Sequence, residues 1–549
     1  MAQRTYNIIF HTHTISGIII SAALYVIFFT GSISFLRDEI NAWERNEPIR
    51  KDYFNQADFD GALKALSKEQ DLYGRDISFS HRYFERRVGA SVTQSKDSTI
   101  KDTPHKGRRG NFFYLDMDSF QKNDYASNYS LGEFFYRLHF FAQLNLVGRS
   151  GYFLAGLVAF FFLFAVVTGV IIHWKKIIQG FYVFRPKAKW KTIWTDAHIA
   201  LGMIGLPYQF VFALTGAYLI IGYTIMLPPV EAIMFEGDGK KLQQAMEYDK
   251  AVEYKFDGNR LDKETNIAQF VDSILVRWPE LQLNGLQVFN YGDTNMHIKV
   301  SGSPLYSEKL LGTGYLTYRV RDGKLVNQKD PYNNISYAEG APNLLRRLHY
   351  GDFGGYGIKL VYLILGFITC FVILSGVLIW LVARKNKSVS IAKQRFNKWL
   401  VHAYMAICLS LYPITAIAFI AMKLFTTGTD PSRMTFLYKV FFWGWLAFII
   451  LFLFKRNDRY TNTVSLLLGG LLGLFVPITN GLVTGNWLWV SWSKGYSQIF
   501  VVDSFWVALS LTAFAVLMKL RKNRLNNKLM ENSRKKGLKS TKSSKVQVP

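Results

Sequence analysis

The chain has 549 residues, half of them hydrophobic and 16% aromatic, with a formal net charge of +26. That composition is too apolar for a soluble enzyme and too polar for a bare membrane bundle, so apolar spans must alternate with hydrated segments. The positive charge could suit nucleic acid, but it is gathered into short stretches between apolar runs, which points to membrane topology and away from a nucleic-acid partner.

A run of about 20 mainly apolar residues crosses a bilayer core, and eight such runs occur, near 13–36, 151–174, 197–226, 357–382, 399–424, 436–454, 463–483 and 499–518. The first, within 1–36, follows a single Arg and has no small-residue cleavage site before Arg37, so it reads as a retained helix. Segments 175–196, 383–398 and 455–459 and the tail 519–549 are basic; 383–398 carries six basic residues and no acid. The positive-inside rule places all four in the cytoplasm, both termini inside, and segments 37–150 and 227–356 outside. The tail is expected to be a solvated, lipid-facing or disordered extension.

Segment 37–150 predicts a helix over Ala57–Gln70 and a strand over Asn111–Phe120. Segment 227–356 predicts a helix over Ile267–Trp278, strands through Leu286, His297 and Tyr315–Val320, and a turn at Asp322-Gly323 leading to Leu325. Two small outer α+β domains are the expectation.

The two halves share a pattern. His13 is followed by Gly17 and by Thr30-Gly31; His198 is followed at the same spacings by Gly202 and Thr215-Gly216. Arg137-Leu138-His139 precedes the span ending Thr168-Gly169 and His173-Trp174, and Arg347-Leu348-His349 precedes the span with Ser375-Gly376 and Trp380. The unit helix, outer domain, RLH, helix therefore occurs twice, and such repeats tend to place their site between the copies. Span five, 399–424, opens Trp399-Leu-Val-His402 as a worn third start, and 425–518 holds spans six to eight with no histidine. The fold class is a polytopic α-helical membrane protein with about eight transmembrane helices, an internally duplicated core and two outer α+β domains.

Histidine inside a membrane is costly and marks function. Here it forms one repeat-related pair, His13/His198, toward the cytoplasmic face and another, His139/His349, toward the outer face. Two imidazoles on separate helices are how a bundle holds a b-type haem iron, so His13, His198, His139 and His349 are candidate ligands of about two haems. Gly17 and Gly202, one turn along from His13 and His198, leave room for a flat macrocycle or a close helix. Arg137 and Arg347 are placed to bind propionates as forked donors. His173 could replace a member of the inner pair or bind its haem with His402, and His11 reads as a neighbour of His13. His81, His105 and His297 read as surface or substrate-side residues. Cys370 and Cys408 both fall inside spans, and no CxxC, HExxH, Walker or GxGxxG pattern points to zinc or nucleotide chemistry.

The order, spacing and topology of these motifs over about residues 8–425 resemble the PepSY-associated transmembrane family, which includes iron-regulated inner-membrane proteins and siderophore-iron reductases of Gram-negative bacteria. The resemblance implies PepSY-like periplasmic domains, haem b in the inner membrane, and reduction of a ferric siderophore to release Fe(II), with electrons from a cytoplasmic or quinol donor. Ser375 departs from the Thr-Gly signature, and spans six to eight are an extension. Two other readings are a PepSY-type periplasmic binding or regulatory protein without redox activity, and a siderophore or iron transporter. Against the second, the spans hold few acids and the repeats share one orientation.

Overall fold

The computed structural model describes residues 2–48, 52–81, 85–100, 111–174, 177–183, 185, 188, 190–239, 241–242, 253–262, 265–333, 335–386, 388–426, 430 and 432–543. His105, Lys175, Lys176, Lys187 and Lys189 lie outside the described residues. The chain forms two compact units, one of Met1–Lys398 with Thr427–Phe436, the other of Trp399–Thr426 with Leu437–Pro549.

Eight helices are long and apolar enough to cross a membrane, and their positions match the apolar runs. The chain is a multi-pass membrane protein. In the first unit these are α1 (Gln3–Ser34), α5 (Ser150–His173), α6 (Trp190–Ala217) and α9 (Gly355–Ala383). Helix α6 runs on through a π-helical stretch, Tyr218–Met226, into Leu227–Met234. Four shorter helices belong with them: α2 (Arg37–Arg45), α3 (Phe59–Ser67), α4 (Leu131–His139) and α7 (Ala268–Arg277). A fifth, α8 (Tyr337–Tyr350), precedes α9. The second unit contains α10 (Ile391–Leu409) from Trp399 onward, α11 (Leu411–Phe425), α13 (Gly444–Lys455), α14 (Asp458–Thr484) and α15 (Ser497–Ser543), with α12 (Arg433–Tyr438) straddling the boundary.

Three boundaries differ from the sequence reading. Helix α6 starts inside the basic segment 175–196, and α10 starts inside 383–398. The tail continues α15 to Ser543 as helix, where a disordered extension was one expectation. Its Lys- and Arg-rich composition includes good helix formers, which can propagate a helix already nucleated in the membrane.

The segments between the spans also join in a way the sequence does not announce. Strands β1 (Ile77–Ser80), β2 (Arg87–Val92), β3 (Asn111–Asp116) and β4 (Lys122–Asn123) come from the first, and β5 (Gln282–Phe289), β6 (His297–Ser303), β7 (Gly314–Arg319) and β8 (Lys324–Lys329) from the second. All eight form one antiparallel sheet in the order β4-β3-β2-β1-β5-β6-β7-β8. The seam is β1 on β5, with Ile77 opposite Val288 and Phe79 opposite Leu286. The two expected domains are thus halves of one layer, each a helix followed by a four-strand meander. Their inward-facing residues form a shared core, with Phe59, Phe79, Val88 and Leu115 from one half and Ile274, Leu286, Ile298 and Leu316 from the other. Pairing β1 with β5 closes the edge strand of each half, and the core is continuous across the seam. Asp60 of α3 adds a polar link by accepting from the Ile267 and Ala268 amides at 2.7 and 3.0 Å, at the start of α7.

Both helices that carry an RLH motif begin with the same device. Ser130 accepts from the Glu133 amide at 3.2 Å and Ser336 from the Glu339 amide at 3.3 Å, the Ser-x-x-Glu capping pattern that fixes where a helix starts.

Candidate functional site

Each of the four repeat-related histidines sits against a Thr-Gly or Ser-Gly step of another helix. His13 of α1 directs Nδ1 to the Ala165 carbonyl at 3.0 Å and to Thr168 Oγ1 at 3.2 Å. His198 of α6 makes the corresponding contacts on α9, to the Val372 carbonyl and Ser375 Oγ, both at 3.0 Å. His139, the last residue of α4, donates from Nδ1 to the Ile27 carbonyl of α1 at 2.8 Å. His349 of α8 places Nδ1 2.8 Å from Thr215 Oγ1. That hydroxyl already donates to the Val211 carbonyl at 2.6 Å, so it accepts from the imidazole.

The glycine of each step is the floor of a cradle. A methyl group at Gly31 would stand 2.5 Å from His139 Nδ1, one at Gly169 3.2 Å from His13 Cε1, and one at Gly376 3.3 Å from His198 Cε1. At Gly216 the nearest His349 atom is 3.8 Å away. Serine serves at 375 as threonine does at 168, since each supplies the same hydroxyl beside the same carbonyl. The pattern is reciprocal: α1 carries His13 and receives His139, while α5 receives His13; α6 carries His198 and receives His349, while α9 receives His198.

With Nδ1 taken, each ring has Nε2 left, and none of the four Nε2 atoms has a hydrogen-bond partner among the described residues. All four rings are half-buried. His139 and His349 lie with ring centroids 5.8 Å apart, tilted by 44°, and the Phe212 ring lies 4.9 Å from His349, tilted by 36°. Desolvation holds both imidazoles below the ordinary histidine pKa, reinforced at His349 by His139 beside it, so both are in the neutral form that offers a lone pair. His13 and His198 lie within electrostatic reach of each other.

The +4 glycines have a definite surrounding. Among the described residues, nothing stands within 4 Å of a methyl group built at Gly17 or at Gly202. A close neighbouring helix is therefore not what those glycines admit; open space lies one turn along from His13 and from His198.

The remaining candidates are placed differently. His173, at the end of α5, is an electrostatic neighbour of both His13 and His198 but takes no Thr-Gly cradle and no hydrogen-bond partner among the described residues. His402 belongs to the second unit, with Nδ1 2.5 Å from Asp458 Oδ1 and Nε2 2.8 Å from the Phe452 carbonyl. Each of its nitrogens is closed off by an oxygen of its own unit, so neither is left to face a metal, which corrects its candidacy as a ligand. Arg137 pairs with Glu133 at 2.5 Å and lies over the Tyr125 ring; Arg347 pairs with Asp352 and lies over the Tyr306 ring at 3.8 Å. Each guanidinium is thus engaged by a carboxylate of its own segment. His11 is exposed. His81 stacks on Phe54 at 5.2 Å, and His297, 4% exposed, stacks on Tyr254 at 3.7 Å, so of the two expected placements, surface or substrate-side, an open surface position fits neither.

Sequence reasoning singled out the Thr-Gly steps as marks of the repeat but did not say which histidines they serve. The signal that decides this is length: seventeen residues separate His13 from Thr30 and His198 from Thr215, about 25 Å of helix. A Thr-Gly step so far along must serve a histidine at the other end of the bundle.

Among the described residues no group of three or more His, Cys, Asp or Glu is arranged to hold a metal ion. A search of the curated proteins finds no match. The family model of the PepSY-associated TM region matches residues 10–383, a stretch that ends with α9 and contains all four cradled histidines. The chain belongs to the PepSY-associated transmembrane family.

Proposed function

We propose that residues 10–383 form a duplicated di-haem b core that carries electrons across the bacterial inner membrane and reduces a ferric siderophore in the periplasm. The observation that carries this reading is the set of four imidazoles, each with Nδ1 fixed by a carbonyl or hydroxyl and Nε2 left over, on two ends of one bundle. An oxygen acceptor on Nδ1 fixes the ring and makes Nε2 the basic nitrogen, the usual preparation of a metal-ligating histidine. Two ligands without a third suit iron that brings four nitrogens of its own in a macrocycle. The 5.8 Å between the His139 and His349 ring centroids is near the spacing needed for one metal atom between two nitrogens at about 2 Å each. The open faces at Gly17 and Gly202 supply room beside the other pair.

Haem iron, when bound, accepts and passes on one electron at a time. The chain's own residues do the rest. His13 and His198 would hold the haem nearer the cytoplasm, and His139 and His349 the one nearer the periplasm, dividing a bilayer core of about 30 Å. Arg137 and Arg347, committed to Glu133 and Asp352, act on this reading by fixing the RLH helices and not as propionate donors. The eight-stranded sheet lies on the periplasmic side, both termini and the basic segments lie in the cytoplasm, and the electron donor is a quinol or a cytoplasmic reductant. One electron converts the chelated Fe(III) to Fe(II), for which hard oxygen ligands have less affinity, and the iron is released.

The test is reoxidation. Purified protein in liposomes, reduced from the lumen and then given a ferric hydroxamate or catecholate outside, should reoxidise while an Fe(II)-specific dye develops colour. Retention of chelate without electron transfer would favour a binding protein instead, and accumulation of intact chelate inside unreduced vesicles would favour a transporter.

A further inference from the structure

The connection between spans five and six, Thr427–Phe436, folds with the first unit, although Trp399–Thr426 before it and Leu437 onward belong to the second. Its anchor is Arg433, the first residue of α12. Arg433 donates from Nη2 to Glu44 Oε1 of α2, in a pair whose two side chains are each 1% exposed. From Nε it donates to the Tyr129 carbonyl at 3.1 Å. The other oxygen of Glu44 accepts from the Leu131 amide at 2.7 Å, and Leu131 is the first residue of α4. Beside it, Ser130 Oγ, the cap of that helix, donates to Asn41 Oδ1 of α2 at 2.7 Å.

A nine-residue helix is marginal by itself in water, so the position of α4 rests on its packing, with Phe134 and Phe135 fully buried, and on what grips its ends. The first turn is gripped by Glu44, Asn41 and, through Glu44 and Tyr129, Arg433, and also by Arg37 of α2, which donates to Glu133 Oε2. The last residue is His139, held on the Ile27 carbonyl. A buried carboxylate deprived of its cation is strongly disfavoured and reorganises its surroundings. Loss of Arg433 would therefore be felt first at the Leu131 amide and then along the rigid two and a half turns to His139. The second RLH helix, α8, starts on Ser336 and Glu339, and Glu339 pairs instead with Lys329 of β8 at 2.5 Å.

We propose that Arg433 is a positioning residue for the His139/His349 pair: by fixing Glu44 on the first turn of α4 it sets where His139 lies in the Thr30-Gly31 cradle. The loop between spans five and six thereby conditions this pair and leaves the His13/His198 pair alone. The spectroscopic half of the test rests on the haem reading; the backbone half does not.

The variants are Glu44→Gln, Arg433→Lys, and the double variant Arg433→Met with Glu44→Gln, which removes both charges and strands neither. Hydrogen exchange on the full chain in detergent should show the α4 amides exchanging at least tenfold faster in the double variant, with α8 unchanged and Arg433→Lys intermediate. In the haem-loaded protein, the component that is lost on His139→Ala should change its reduced-to-oxidised ratio at fixed potential at least tenfold, and the other component should not move. Unchanged α4 exchange in a folded double variant would overturn the proposal, as would equal acceleration in α4 and α8 or a joint shift of both haem components. If the double variant does not fold, Glu44→Gln decides by the same readouts. If the wild type binds no haem, the haem reading fails while the exchange data still decide the clamp.

Discussion

Gly31→Ala should cost the protein the haem held by His139 and His349. The added methyl would lie 2.5 Å from Nδ1 and 2.7 Å from Cε1 of His139, whereas carbon contacts settle at about 3.5–4.0 Å. The ring must retreat by about 1 Å, and the 2.8 Å hydrogen bond to the Ile27 carbonyl resists it. Overpacking of this kind costs about 1–3 kcal/mol, which contains the net worth of one hydrogen bond, about 0.5–1.5 kcal/mol. That is about a 5- to 150-fold loss in haem affinity at this pair. The same construction orders the series. Gly169→Ala and Gly376→Ala meet His13 and His198 at 3.2 and 3.3 Å and should weaken the other pair modestly, while Gly216→Ala, with Ala159 at 3.6 Å and His349 at 3.8 Å, should be tolerated. Haem titration of each variant, with thermal unfolding as a control, checks the order. Wild-type affinity in Gly31→Ala, or a larger loss in Gly216→Ala than in Gly31→Ala, would refute the cradle argument.

Gly17→Ala and Gly202→Ala should leave the haem-free protein as stable or slightly more so, since alanine is the better helix former by up to about 1 kcal/mol, yet reduce haem uptake at the His13/His198 pair; paired melts with and without haem show both effects. His402→Ala should keep both haems and instead lower thermal stability by about 1–3 kcal/mol, because the buried polar contacts of the ring with Asp458 and the Phe452 carbonyl are lost. The sheet region should lose stability as pH falls. Burial depresses the folded-state pKa of His81 and His297, so below the ordinary histidine value of about 6.5 the unfolded chain takes up protons the folded one refuses, at up to about 1.4 kcal/mol per pH unit for each histidine. Above that value both states are neutral and the effect vanishes. A His81→Phe, His297→Phe double variant should flatten the dependence between about pH 7 and 5, read from tryptophan-fluorescence melts.

The spans were legible because bilayer thickness imposes a length that composition reveals, and the four histidines because the repeat spacing names them. The merged sheet was not. Its seam pairs Ile77–Ser80 with Gly285–Val288, short stretches more than two hundred residues apart, and no local pattern fixes which edge a strand will choose. Strands β1 and β2 were missed for a related reason: Ser78, Gly89 and Ser91 dilute the β-branched signal, and burial against the other half compensates. His402 misled because an aromatic-then-His opening looks like His13 and His198 in one dimension, whereas its partner Asp458 lies fifty-six residues on. The arginines of the RLH motifs were read by charge alone. Glu133 lies one turn before Arg137 and Asp352 five residues after Arg347, close enough in sequence to have been weighed as partners.

The most direct measurement is a reduced-minus-oxidised spectrum with a haem count on the purified chain and on four single variants. Two b-type haems per chain should be found, one lost in His139→Ala and in His349→Ala, the other in His13→Ala and in His198→Ala. A folded, haem-supplemented wild type without a haem band, or variants that lose haem without respect to these pairs, would contradict the account.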